Sequence, residues 1–283
     1  MTRPSRLRPN PPFLLGERKA ARDCTRLTRI DLLSDDAVNF VSAGNVRRHC
    51  EPIHNKPGST ITVIKTIADF VSDNTEAGVG LALQDDKERY LFFLAGTRHS
   101  CPPGELFYAG IGGHREEGED WLTCAYREAN EEIGTDIEIL SAPITWYIPQ
   151  HDSIQQLEVI DQPRPLAFYE MIHPPGTPRA DKPYCIVIFK ARLCGLPKDL
   201  PQDELQGVIA LTAEQVIRGP ERKPALAQLI DEGASLVAGG ETVNGHVRLY
   251  PIGTAMALAH VLRYATDSIH KVCGMEKPPA TNA

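Results

Sequence analysis

The chain has 283 residues, 42% of them apolar and 24% charged, and a formal net charge of −7. That composition supplies a sizeable core, and no run of about 18 apolar residues is present to form a membrane-spanning helix. The acidic balance argues against nucleic-acid binding as the main activity, because such proteins carry a basic face. It does not exclude an anionic substrate, since metal ions can supply the positive charge.

The first residues, MTRPSRLRPNPP, hold three Arg and four Pro and lack the apolar stretch of a secretory signal. The seven cysteines, an odd number, show no CxxC pair and no zinc-type spacing. Reduced thiols in a cytoplasmic protein are the expectation. Residues 1–57 read as an irregular lead-in, in which Ser34-Asp35-Asp36 caps a short helix through Val41. Residues 58–215 read as one domain. Its first stretch, 59–71, alternates like a strand at its start. The segments 79–84 and 89–98, joined by Asp-Asp-Lys-Glu, read as a hairpin of buried strands. A third strand over 105–113 ends in glycines, and 165–172, 184–193 and 208–211 are further strands. From Thr212 onward the pattern reads helical, so 216–283 is expected to be a helical extension, packed on the core or forming a homodimer interface. Strands interrupted by one central helix and followed by helices predict an α/β (α+β) sandwich with a mixed sheet.

The central helix carries the chemistry. At about 100° per residue, Leu122, Ala125, Ala129 and Ile133 share one face of a helix over 120–133. Asp120 opens the first turn and Gly134 suits the left-handed C-cap. Glu128, Glu131 and Glu132 border the apolar face instead of pointing to open solvent. A solvated acidic face is the plain alternative, because like-charge pairs on a helix cost only about 0.2–0.5 kcal/mol each. The glycines upstream favour the other reading. Gly110, Gly112 and Gly113 let backbone approach a ligand, and carboxylates beside a carbonyl oxygen form an all-oxygen site suited to Mg²⁺ or Mn²⁺.

The segment 113–135 resembles the Nudix box. Gly113 is followed by five residues, Glu119, seven residues, Arg127-Glu128, Ala129, Asn130, Glu131-Glu132, Ile133, Gly134 and Thr135. All seven fixed residue types stand at the required spacing; at roughly 1 in 15 per fixed residue, a chance match in the chain is about one in 10⁶. Ala129 and Thr135 stand where larger aliphatics are usual, a matter of packing. The resemblance implies a Nudix-type α/β/α sandwich and divalent-metal-dependent hydrolysis of a nucleoside diphosphate linked to another moiety. It implies Glu128, Glu131, Glu132 and the Gly112 carbonyl as metal ligands. By the same resemblance Gly113, Glu119, Arg127 and Gly134 are structural, and an acidic residue before the last strand of the domain is a ligand or base. Glu204 is preferred there over Asp203, with Glu131 and Glu128 as further catalytic candidates.

Other members of the superfamily are isomerases or ligand sensors, but a sensor has no need of Glu131 and Glu132 together. The coenzyme A and NADH signatures of the family are absent, and Pro149 only approximates the ADP-ribose position. Arg98 and His99, ahead of the box, are candidates to touch phosphates, and Phe107, Tyr108, Trp146 and Tyr147 to stack a base. The expected partner is a small nucleotide-type molecule.

Overall fold

The computed structural model describes residues 62–63, 66–71, 75–150, 153–173 and 182–273, so the lead-in expected over 1–57, with its helix at 34–41, lies outside them. The elements in chain order begin with β1 (Thr62–Val63), α1 (Ile67–Phe70), β2 (Ala77–Gln84), β3 (Tyr90–Ala95), β4 (Glu105–Ala109) and α2 (Trp121–Ile133). Then follow β5 (Ile137–Leu140), β6 (Thr145–Ile148), β7 (Gln155–Glu158), β8 (Ala167–Ile172), β9 (Pro183–Leu193) and β10 (Leu205–Leu211). The chain closes with α3 (Ala213–Arg218), α4 (Leu226–Asp231), β11 (Ser235–Gly239), β12 (Arg248–Pro251) and α5 (Gly253–Cys273). Among the described residues no helix is long and apolar enough to cross a membrane.

One mixed sheet carries the fold, in the order β1-β7-β6-β8-β9-β2-β3-β10-β11, with β4 on β3, β12 on β4 and β5 on β9. The central strands are apolar on both faces because both are covered. Val79, Leu81 and Leu83 of β2 join Cys124, Ala125, Ala129 and Ile133 of α2 in one core cluster. Ala82 of the same strand joins Ala255, Leu258 and Val261 of α5 in the other. The described residues therefore form an α/β/α sandwich with α2 on one face of the sheet and α5 on the opposite face.

The region read as wholly helical after Thr212 corrects that reading. A capping box between Thr212 and Gln215 starts α3 as expected, but the apolar run 224–239 is split. α4 ends at Asp231, Gly233 takes φ +108, and the residues beyond form β11 antiparallel to β10. Further on, β12 pairs in parallel with β4. Three short strands, β5 to β7, also went unread; each has four residues, too few to display alternation.

The expected hairpin is a fork. β2 and β3 pair at Gln84↔Tyr90, then β2 follows β9 in parallel while β3 follows β10. The residues after β4 enter the fork: Leu81 donates its amide to the Ile111 carbonyl and Val79 donates to Gly113, both at 2.9 Å. This places the glycine-rich segment under α2.

Candidate functional site

α2 is anchored at both ends. Asp120 accepts the amides of Leu122 and Thr123, each at 3.0 Å, and Gly134 closes the helix at φ +57. The side chains facing the sheet are small: Cys124, Ala125 and Ala129 are buried, while Leu122 is only half-buried. The helix therefore lies close to β2, and Glu128 and Glu132 reach the glycine segment, whereas Glu131, expected along the same edge, faces solvent.

Glu132 is buried, 8% exposed, and its Oε2 accepts the Gly112 amide at 2.8 Å. Burial holds its carboxyl well above the ordinary carboxylate range. The Gly112 bond opposes this, the charges of Glu128 and Glu204 add to it, and Arg98 opposes it. The Glu128 carboxylate lies over Gly113, where a Cβ would come 2.4 Å from Oε1. It too is raised, first by burial, against the bonds from Arg127.

Arg127 ties the group together. Its Nε and Nη2 donate to the two oxygens of Glu119 at 2.8 and 2.9 Å, and Nη2 also donates to the His114 carbonyl at 3.0 Å. Its Nη1 donates to Glu128 at 2.8 Å and to Glu131 at 3.1 Å. Glu119 also accepts the Glu116 amide, and the Arg127 bonds first of all hold its carboxyl down to about 2. Glu131 is the exposed member, and Glu116 and Glu117 are exposed on the loop.

Glu204 comes from far along the chain, on the turn before β10, and is salt-bridged to Arg98. The amides of Gly96 and Arg98 donate to the carbonyls of Glu204 and Asp203, at 2.8 and 2.9 Å. His99 is not beside Arg98 on the rim. Its ring packs edge-on against Phe107, centroids 5.0 Å apart. Burial, then the Arg98 charge, lowers its pKa. The candidate base-stacking residues Phe107, Tyr108 and Trp146 are buried core, and Tyr147 is half-buried against Phe70.

The donor set suits a hard divalent cation, since it is all oxygen and partly desolvated, and burial first, with like charge adding to it, holds two of its carboxyls high. Among the described residues no three acidic, His or Cys side chains yet converge on one point. Arg127 Nη1 instead stands between Glu128 and Glu131, so a cation held by both requires those side chains to turn from it. A cleft of about 600 Å³ opens elsewhere, between β8 and α5, and a smaller one beside α3; neither is lined by these carboxylates. Charge, not concavity, marks the site.

The model of the NUDIX domain matches residues 74–232. The chain therefore belongs to the Nudix family, whose general chemistry is hydrolysis of a pyrophosphate bond. The match begins after residue 58 and runs past 215 through α4. No curated protein matches the chain. Among solved structures, a NUDIX hydrolase from Nitrosomonas europaea is 16% identical over 56% of this chain and 88% of its own, with a TM-score of 0.36. A NUDIX-family hydrolase from Clostridium perfringens is 12% identical over 69% and 99%, TM-score 0.36. A MutT protein from Methanosarcina mazei Go1 is 12% identical over 52% and 83%, TM-score 0.35. The family assignment rests on the domain match and not on these structural likenesses.

Proposed function

We propose that the protein hydrolyses the diphosphate bond of a nucleoside diphosphate joined to another moiety, in a reaction that depends on Mg²⁺ or Mn²⁺. Glu128, Glu131, Glu132 and the Gly112 carbonyl are the ligands in this reading. The observation that carries it is the buried Glu132 carboxylate, held by the Gly112 amide and repelled by Glu128 and Glu204. Burying several carboxylates together is unfavourable unless something offsets their charge. A bound divalent cation supplies that offset, neutralises diphosphate charge and lowers the pKa of water.

The protein's own part is positioning and electrostatics. Arg127 holds the loop 114–119 against α2 and keeps Glu128 and Glu131 at one edge. Arg98 is half-exposed and supplies a cation for a substrate phosphate by exchange from Glu204. Glu204, released from Arg98, accepts the proton of the attacking water. The test is a panel of dinucleotides, nucleoside diphosphate sugars and damaged nucleoside triphosphates, assayed with Mg²⁺, Mn²⁺ or EDTA and read by mass spectrometry of the products. Cation-dependent cleavage of at least one linkage supports the proposal. Tight binding across the panel without cleavage would favour a sensor instead.

A further inference from the structure

Resting on the ligand role proposed for Glu128, we infer that His114 is a positioning residue: its ring, docked against Tyr184 and His173 on the α5 side of the sheet, fixes the main chain that Arg127 and Glu128 meet on the α2 side. The three rings form one cluster. The centroids of His114 and Tyr184 are 4.6 Å apart and those of His173 and Tyr184 4.9 Å, while the two imidazoles stack at 6.0 Å with 9° between their planes. Tyr184 stands in β9 among side chains that pack with α5, whereas its neighbour Cys185 belongs to the core under α2. Gly78 of β2 leaves room for this cluster, since a Cβ there would lie 2.0 Å from the Tyr184 hydroxyl.

The main chain of the same histidine serves the opposite face. The His114 carbonyl accepts Arg127 Nη2 at 3.0 Å and the Cys124 thiol at 3.6 Å. The residue before it, Gly113, lies under the Glu128 carboxylate. Gly112 and Gly113 have no side chains to hold them, and glycine backbone is the freest to rotate. His114 is the first residue after them that can grip the sheet by a side chain. Two main-chain bonds lay the segment along β2: the Val79 amide donates to the Gly113 carbonyl at 2.9 Å, and the Arg115 amide to the Ala77 carbonyl at 3.2 Å. The ring locks that alignment. Arg127 in turn holds Glu128 at 2.8 Å, so docking on one face sets the carboxylate on the other.

The experiment compares His114→Ala with His114→Phe. Loss of the ring in His114→Ala should quicken amide hydrogen exchange at Val79 and Arg115 about tenfold, while β3 amides keep the wild-type rate. It should also weaken Mn²⁺ binding, followed by electron paramagnetic resonance of the free ion, about tenfold, the scale of losing an outer partner of a metal ligand. His114→Phe keeps a ring for Tyr184 to pack against and should restore both. His173→Ala thins the same cluster from the β8 side, away from the glutamates, and should shift both measurements in the same direction; it replaces His114→Ala if that protein does not fold. Unaltered exchange at Val79 and Arg115, or wild-type Mn²⁺ affinity, would overturn the inference. A His114→Phe protein that binds Mn²⁺ as weakly as His114→Ala would mean the imidazole acts on the ion itself, which also overturns it. Should the wild-type protein bind no Mn²⁺, the functional proposal fails separately, and the exchange data still decide whether His114 docks the segment.

Discussion

The main-chain amide of Gly112 donates a 2.8 Å hydrogen bond to the Glu132 carboxylate, joining the glycine segment to the last turn of α2. Glu132→Gln keeps the size and an acceptor but removes the charge. If Glu132 holds the cation, kcat should fall by about 10²–10³, the scale for losing one preorganised electrostatic group. The melting temperature should hardly change. Kinetics across a Mg²⁺ titration, with melts of the same samples, check this. Wild-type turnover in the variant would remove Glu132 from the chemistry.

The same burial predicts an unusual pH dependence without metal. Glu132 and Glu128 have folded pKa values above their ordinary 4.5. The folded state therefore binds more protons than the unfolded chain once the pH exceeds that value, and stability falls as pH rises until the folded carboxyls ionise. Urea unfolding in EDTA between about pH 5 and 8 should show this decline, and Glu132→Gln should flatten it. Added Mn²⁺ should restore stability at the upper end. A level wild-type profile in EDTA would contradict the prediction.

Two adjacent glycines should respond differently to alanine. At Gly113 the new Cβ meets the Glu128 carboxylate, the far end of a flexible side chain. Gly113→Ala should stay folded, with Glu128 displaced and turnover lost. At Gly112 the backbone has φ +140 and the Cβ would lie 2.2 Å from the Val79 carbonyl oxygen, which cannot swing away. Strain and clash together should cost on the order of 2–4 kcal/mol. Thermal melts beside activity assays separate the two; equal melting points would refute the contrast.

These contacts also show what the sequence could disclose. The 3.6 period with Asp120 and Gly134 at its ends delimited α2, because helix ends are written in local chemistry. That Glu132 and Gly112 belong to one site was legible only through the resemblance to the Nudix box, which names both. Glu204 and Arg98 are 106 residues apart, and their meeting depends on β3 pairing with β10, which no local pattern encodes. The packing of the His99 ring on Phe107 is likewise beyond local pattern, since it depends on β4 lying beside β3. β11 and β12 escaped because a strand recruited to an existing sheet needs little intrinsic propensity.

The Glu119–Arg127 pair should behave oppositely to Glu132 in acid. The Glu119 carboxyl is held down to about 2 against an ordinary 4.5, so its contribution is present above about pH 4.5 and is lost as the pH falls through 2. Glu119→Gln weakens two charge-assisted bonds and should cost about 2 kcal/mol near neutral pH, a drop of about 4–8 °C for a domain of this size. The difference from wild type should narrow in acid. An unchanged melting temperature at pH 7 would mean the pair does not hold the loop.

Removing everything after Gly219 tests whether the C-terminal region is separable. It contributes Leu226, Leu229, Leu249, Leu258 and Val261 to the core, each at most 5% exposed. It also supplies β12, which pairs with β4, and the helix covering one face of the sheet. At about 1.5–3 kcal/mol per large buried side chain, the loss rivals the 5–15 kcal/mol that holds a typical domain folded. The truncated chain should therefore be insoluble or collapse without a cooperative melt. A soluble, cooperatively melting monomer from a dimeric parent in gel filtration would instead make 220–283 a dimerisation module.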